Sequence, residues 1–350
     1  QLLMAGGFEL RKWASNCPAL LQDLPSDHCR PSSSEDALCF DRDPVLKILG
    51  LGWNPGSDNF FYAVRMSEAA YTKRTVLSQM ARIFDPLGWL TPVTFKAKLF
   101  FRHLCRLQLD WDQPLPEEFV NPWHDFQQHI PDLGRIRIPR RLPEISPSSV
   151  HHLVGFCDAS ESGYAAVIYF HTASPAGQPH VHLLTAKSKV APNKAISLPR
   201  LELCGAHLLA KLLHAVSSRM LPQLEASIVA FCDSTVALAW IRGESHRWKT
   251  FVGNRVADIQ DLIPHHSWRH VSTTDNPADC ASRGIAPHHL QHHPLWWNGP
   301  SWLAFASENW PNTPATVDTD SVQQEAKPPP MFVLTVTASD DDYINRFSSF

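Results

Sequence analysis

Leu153-Val154-Gly155-Phe156-Cys157-Asp158-Ala159-Ser160 is an apolar run that closes on an acid and two small residues. Its first five residues, Leu153–Cys157, bounded by turn formers, read as a buried strand. Two similar runs follow, Ala165–Phe170 and His182–Ala186, each set off by polar residues. From Leu198 to Val216 the period changes: apolar residues at 201, 208, 209, 212, 213 and 216 predict an amphipathic helix. Ser227–Cys232 is a fourth strand running into a helix at Thr235–Ile241; a helix at 250–263, a strand at 268–271 and a short helix at 277–283 complete the unit. Three strands, a helix, a strand, two helices, a strand and a helix make an α/β unit, a mixed five-stranded sheet with flanking helices.

Four acids stand where that order brings them together. Asp158 ends the first strand and Asp233, in Phe231-Cys232-Asp233-Ser234-Thr235, ends the fourth. Strand C-termini line the functional crevice of such sheets. Glu202 falls one turn into the long helix, and Asp279, in Asn276-Pro277-Ala278-Asp279, opens the last one. Acids embedded in apolar sequence are costly unless compensated, and a cluster of them calls for a divalent cation. Oxygen ligands without His or Cys spacing favour Mg2+ or Mn2+ over zinc. Each acid also has a plain structural reading: a strand-ending Asp is a common helix N-cap, and Asp279 suits a first helical turn.

Upstream, Val45–Trp53 and Asn59–Val64 flank Asn54-Pro55-Gly56 and read as a hairpin. Helices are expected at 75–84, stopped by Asp85-Pro86-Leu87-Gly88, at 92–109 and at about 117–130. The segment before about 43 has no clear period. Of 29 prolines, most lie at 17–31, 114–146, 287–300 and 311–330, which marks the seams between units.

At 350 residues the chain is long enough for two or three domains. A 44% hydrophobic and 19% charged composition excludes a wholly disordered chain, a collagen-like one and a small disulfide-stapled scaffold. The formal charge is −3, but residues 311–350 hold six acids and two bases, leaving 28 acids and 29 bases upstream. Basic runs stand out at Lys96, Lys98, Arg102 and Arg106, at Arg135, Arg137, Arg140 and Arg141, and at Arg242, Arg247, Lys249 and Arg255. None of the eight cysteines forms a C-x-x-C pair; Cys157, Cys204 and Cys232 sit in apolar runs and fit a reducing compartment. His288, His289, His292 and His293 have the spacing of half a zinc site, with no cysteine after 280 to complete it. No apolar stretch reaches membrane-spanning length. The chain opens Gln1-Leu2-Leu3, with neither Met nor a signal sequence, and so is expected to be a piece of a longer intracellular product, in the cytoplasm, in a particle or in the nucleus.

The joint order Asp-Ala-Ser, Leu-Glu-Leu, Asp-Ser-Thr, Asn-Pro-Ala-Asp resembles a retroelement ribonuclease H domain over 150–285, with Asp158, Glu202, Asp233 and Asp279 matching its four-carboxylate motif. Gly6-Gly7-Phe8-Glu9-Leu10-Arg11-Lys12-Trp13-Ala14-Ser15-Asn16, Ile48-Leu49-Gly50-Leu51-Gly52-Trp53 and Ile83-Phe84-Asp85-Pro86-Leu87-Gly88 resemble the region after the polymerase active site of BEL/Pao-type retrotransposon polyproteins. The likeness covers roughly residues 1–310, a region also labelled the Pao retrotransposon peptidase family. It implies a palm end and primer-contacting hairpin over 1–66, thumb or connection helices over 67–149, a ribonuclease H-like domain over 150–286, a His/Trp-rich connector over 287–314 and a disordered acidic tail over 315–350. The fold implied is a ribonuclease H-like α/β sheet preceded by a mostly helical α+β region derived from a reverse transcriptase.

The function implied is metal-dependent hydrolysis of the RNA strand of an RNA–DNA hybrid during reverse transcription. Two Mg2+ ions about 4 Å apart would be clamped by the carboxylates, Asp158 bridging both, Glu202 and Asp233 on one and Asp279 on the other. Ser160, Ser234, Arg242, Arg247, Trp248, Lys249 and Arg255 are the candidates for nucleic-acid contact. The rest of the polyprotein, polymerase upstream and integrase downstream, would be the partner. No Tyr-x-Asp-Asp occurs, so this chain alone is not expected to polymerise DNA. His270 lies in a predicted strand and is no secure counterpart of a mobile catalytic His. Two other readings compete: a catalytically silent nucleic-acid-binding remnant, and an aspartic peptidase, against which neither Asp158-Ala159-Ser160 nor Asp233-Ser234-Thr235 carries the usual Gly.

Overall fold

The structure is a computed structural model and describes residues 2–29, 47–48, 51–64, 66, 70–142, 149–173, 179–220, 225–312 and 316–328. Expectations for 30–46 and for the tail from 329 lie outside these residues. In chain order the strands are β1 (Lys47–Ile48), β2 (Leu51–Asn54), β3 (Asn59–Phe61), β4 (Arg137–Pro139), β5 (Val150–Ser160), β6 (Gly163–Ala173), β7 (His180–Val190), β8 (Ser227–Cys232) and β9 (Trp268–His270). The helices are α1 (Leu2–Ala5), α2 (Lys73–Met80), α3 (Thr91–Arg106), α4 (Glu117–Gln128), α5 (Leu198–Ala215), α6 (Thr235–Arg242), α7 (Thr250–Leu262), α8 (Asp279–Arg283), α9 (Pro287–Leu290), α10 (Pro294–Asn298) and α11 (Thr319–Gln323). No described helix is long and apolar enough to cross a membrane.

The main sheet runs β7-β6-β5-β8-β9, antiparallel through the first three and parallel between β5, β8 and β9. This is the ribonuclease H-like mixed sheet that the sequence implied. Its central strand buries nine consecutive residues, 151–159, because helices cover both faces and no face remains for polar alternation. One face carries α5, α6 and α7 on Leu153, Cys157, Ala166 and Ile168. The other, through Val154, Phe156, Ala165, Val167 and Tyr169, shares a single core with α2, α3, α4 and the segment after 286.

Three expectations need correction. The helix predicted to Phe84 ends at Met80, after a capping box between Thr72 and Thr75 fixes its start. Residues 81–90 instead form a loop that docks on the sheet edge: Ala186 N–H donates to Leu87 O at 2.9 Å, and a Cβ on Gly88 would lie 1.8 Å from Ala186 O. The hairpin β2–β3 forms, yet it belongs to a four-stranded sheet completed by β4, which the basic run at 135–141 concealed. Arg140 pairs with Asp58 at 2.6 Å and Arg137 lies over the Phe61 ring, so both serve this small sheet.

The third correction concerns everything past 286. The His/Trp-rich segment is core rather than connector: Trp296 and Leu303 are fully buried, and the Trp296 indole donates to Trp89 O at 2.9 Å. Residues 316–328, expected to be disordered, pack on α6 and on residues 247–249, with Val322 buried and its carbonyl accepting from the Trp240 indole.

Trp310 closes the end of the first core against His152 and His171, its ring 5.0 and 4.9 Å from theirs. Burial and the neighbouring His152 hold His171 down to about 4, against 6.5 when free. The unfolded chain therefore binds the extra proton first, so this group's stabilisation is complete above pH 6.5 and is lost as pH falls towards 4. His171→Phe should flatten the fall in melting temperature below neutral pH; an unchanged slope would assign that fall to other groups.

Candidate active site

The four carboxylates converge from four elements at one end of the main sheet. Asp158 lies near the end of β5, 4% exposed, while Asp233 follows β8, Glu202 projects from α5 and Asp279 opens α8, all three half-buried. Parallel pairing of Cys157 with Cys232 places Asp158 and Asp233 side by side, one strand spacing of about 4.8 Å apart along the sheet. α5 comes close because position 205 is glycine: any Cβ there would lie 3.1 Å from Asp158 O. Asn276, fully buried, holds the last acid in reach. Its amide donates to Cys157 O at 2.9 Å while its carbonyl accepts from Ala278 N–H at 3.1 Å, tying the turn before α8 to β5.

Each acid has a protein donor. The Ser282 hydroxyl donates to Asp158 and the Ser234 hydroxyl to Glu202, both in very short contacts. Thr273 Oγ1 donates to Asp233 at 3.1 Å, and Arg283 Nε to Asp279 at 2.5 Å. Burial raises the pKa of Asp158 well above the carboxylate range, with the charges of Asp233 and Asp279 adding to it. Burial and then Asp233 raise Glu202, and the Asp279 hydrogen bond and charge raise Arg283 further. The acids thus repel one another through a poorly solvated centre.

A divalent cation is the natural counter-charge, and the all-oxygen donor set suits Mg2+ or Mn2+. As they stand, no three His, Cys, Asp or Glu side chains among the described residues are close enough to hold an ion. The acids turn instead towards Ser282, Ser234, Thr273 and Arg283. Each is a single hydroxyl or guanidinium contact, and the donor set fits an ion by its chemistry.

The nucleic-acid candidates divide. Arg242, Arg247 and Lys249 are exposed. Arg255 is half-buried, its guanidinium 3.6 Å from the Phe251 ring centroid. Trp248 does not face solvent: it is 3% exposed and its indole donates to Trp240 O at 3.1 Å, so it packs rather than contacts substrate. Ser234 is 6% exposed and caps α6 by accepting from Ala237 N–H at 3.1 Å. Ser160 donates to Ser282 O at 2.7 Å and so steadies the residue that holds Asp158. His270 ends β9, half-buried. His129, His288 and His289 gather with ring centroids 4.2 and 4.0 Å apart, but the described residues hold no three-ligand group there.

Sequence reading missed Ser282, Asn276 and Thr273. Only Asn276 left a trace, the Asn-Pro turn before Asp279; a lone Ser or Thr carries no pattern of its own.

Among known proteins, no curated protein matches the chain. Solved structures similar to it include the solution structure of the PFV RNase H domain, at 13% identity and a TM-score of 0.23, covering 41% of this chain and 92% of that one. Another is the crystal structure of the Prototype Foamy Virus protease-reverse transcriptase, at 14% identity and a TM-score of 0.22, covering 55% of this chain and 26% of that one. A family model described as the Pao retrotransposon-like RNaseH-like domain matches residues 72–234, a span that holds Asp158, Glu202 and Asp233 and stops before Asp279. Residues 72–234, just under half of the chain, are thus similar to the Pao retrotransposon-like RNaseH-like domain, the retroelement group that its motifs resemble.

Proposed function

We propose that the chain is a retroelement ribonuclease H that hydrolyses the RNA strand of RNA–DNA hybrids during reverse transcription, acting beside the polymerase and integrase of its polyprotein. One observation carries this reading: a buried Asp158 at the end of the central strand, made hard to ionise by burial and by Asp233 and Asp279, with Glu202 alongside. Such a cluster serves no packing purpose and is relieved by cations.

Asp158, Glu202, Asp233 and Asp279 are the residues that would hold two Mg2+ or Mn2+ ions. Bound there, the ions supply an activated water and charge stabilisation for the departing 3′ oxygen. The chain's own part is to hold the acids and let them turn. Ser282 and Ser234 keep Asp158 and Glu202 in place until their contacts are exchanged, and Arg283, exposed beside Asp279, balances charge near the scissile phosphate. Exposed Arg242, Arg247 and Lys249 would meet the sugar-phosphate backbone, so choice rests on hybrid shape and the 2′-hydroxyl.

The test is cleavage of an end-labelled RNA–DNA hybrid by purified protein in Mg2+, in Mn2+ and with chelator, beside single-stranded RNA and duplex DNA. Cutting of the RNA strand of the hybrid, abolished by chelator, is expected. A folded sample that binds hybrid without cutting it would be a silent binding remnant. Proteolysis sensitive to a pepstatin-type inhibitor would instead identify a peptidase.

A further inference from the structure

Residues 318–327 form a strap across α6, residues 247–249 and Arg200 of α5. Asp318 caps α11, accepting from Asp320 N–H at 3.1 Å and Ser321 N–H at 3.3 Å, and Val322 then enters the second core while its carbonyl accepts from the Trp240 indole at 3.2 Å. Beyond it the chain pairs with the basic stretch itself. Lys249 N–H donates to Glu325 O at 2.7 Å, Lys327 N–H to Arg247 O at 2.8 Å, and Lys249 Nζ to Gln324 O at 2.7 Å.

Glu325 is the centre of this contact. Its Oε1 accepts from Arg200 Nε at 2.8 Å and Nη2 at 2.7 Å, yet its Oε2 is buried with no hydrogen-bond partner. Arg200 lies 5.0 Å from the Phe251 ring centroid, and Arg255 lies on the same ring without an acidic partner among the described residues. Two guanidiniums thus share one aromatic ring, and Glu325 engages only Arg200 of them, its second oxygen reached by neither Arg255 nor Lys249. A phosphate brings more acceptor oxygens and suits the guanidinium fork better.

We infer that Arg200, Phe251 and Arg255, with Lys249, form a site for a nucleic-acid phosphate, that Glu325 occupies it as an internal stand-in, and that the strap must be displaced for a polynucleotide to bind there. The inference rests on the nucleic-acid reading above for its ligand, but the site and its internal competitor are independent of cleavage. It assigns Arg200 to binding and the acidic segment to autoinhibition.

Glu325→Gln keeps shape and removes the competing charge, whereas Val322→Ala keeps the charge and loosens the strap. Binding of a short RNA–DNA hybrid and of heparin is measured for each full-length protein across a salt series, with circular dichroism confirming the fold. Both variants should bind hybrid more tightly, by about threefold to tenfold at low salt, with Glu325→Gln gaining salt dependence equivalent to about one more phosphate. In the wild type, saturating hybrid should speed amide exchange over 319–327. Unchanged or weaker binding of both probes by both folded variants, or slower exchange over 319–327 with hybrid, would overturn the proposal. Tighter heparin binding by the variants when no form binds hybrid would keep the anion site and remove the hybrid reading instead.

Discussion

Asp158→Asn is expected to abolish metal-dependent RNA cleavage, a loss of at least about a thousandfold, while the protein melts at a higher temperature than the wild type in chelator. The two effects have one origin. Asp158 is 4% exposed and faces the charges of Asp233 and Asp279, so ionising it opposes folding near neutral pH. Asn has the same shape, still accepts the Ser282 hydroxyl, and carries no charge. It also cannot hold two cations. A residue retained only to cap a helix would show the opposite pattern, losing stability and leaving activity to other groups. Retained cleavage in Asp158→Asn would remove the residue from the chemistry altogether. Ser282→Ala separates positioning from catalysis: it should lower stability by leaving the buried acid a donor short, and raise the metal concentration needed for half-maximal cutting more than it lowers the maximal rate.

The sheet was legible because its signals are local. Ser227–Cys232 and the helix from Thr250 begin where their apolar runs begin, and the strand before Asp158 needed only its apolar run to be seen. It was read short, as Leu153–Cys157 rather than Val150–Ser160, because polar His151 and His152 are buried by Phe170, His171 and Trp310, which no nearby residue foretells. β4 escaped for a similar reason: three residues among four arginines have no period, and only pairing with β3 makes them a strand. The acids were found by their order along the chain. Their partners were not, since Ser282, Thr273 and Asn276 matter through contacts made across 124, 40 and 119 positions. Trp248 misled because an aromatic among basic residues looks like a stacking platform until Trp240 and the 316–328 segment are seen to cover it.

The second large effect lies far from the acids, at Trp89. Its indole N–H donates to both Leu183 O and Leu184 O at 3.1 Å, its carbonyl accepts from Trp296 at 2.9 Å, and its ring packs 5.9 Å from Phe60. Its side chain therefore joins the loop after α2 to the edge strand β7 and the hairpin, and its carbonyl adds the segment after 286. Trp89→Ala would lose its packing and leave a cavity against a rigid sheet edge, at a cost of about 3–5 kcal/mol, which for a domain of this size lowers the melting temperature by about 10 °C. Because the upstream helices and one face of the main sheet share a single core, that loss should appear as one cooperative transition moved down, with the near-ultraviolet and far-ultraviolet signals falling together. Two separated transitions, the later one at the wild-type temperature, would show that the sheet folds without the upstream region and that Trp89 merely docks it. A single lowered transition would instead make residues 70–142 part of the same folding unit as the carboxylates, so that cutting the chain at 149 would deprive β7 of the loop at Leu87 that closes its edge.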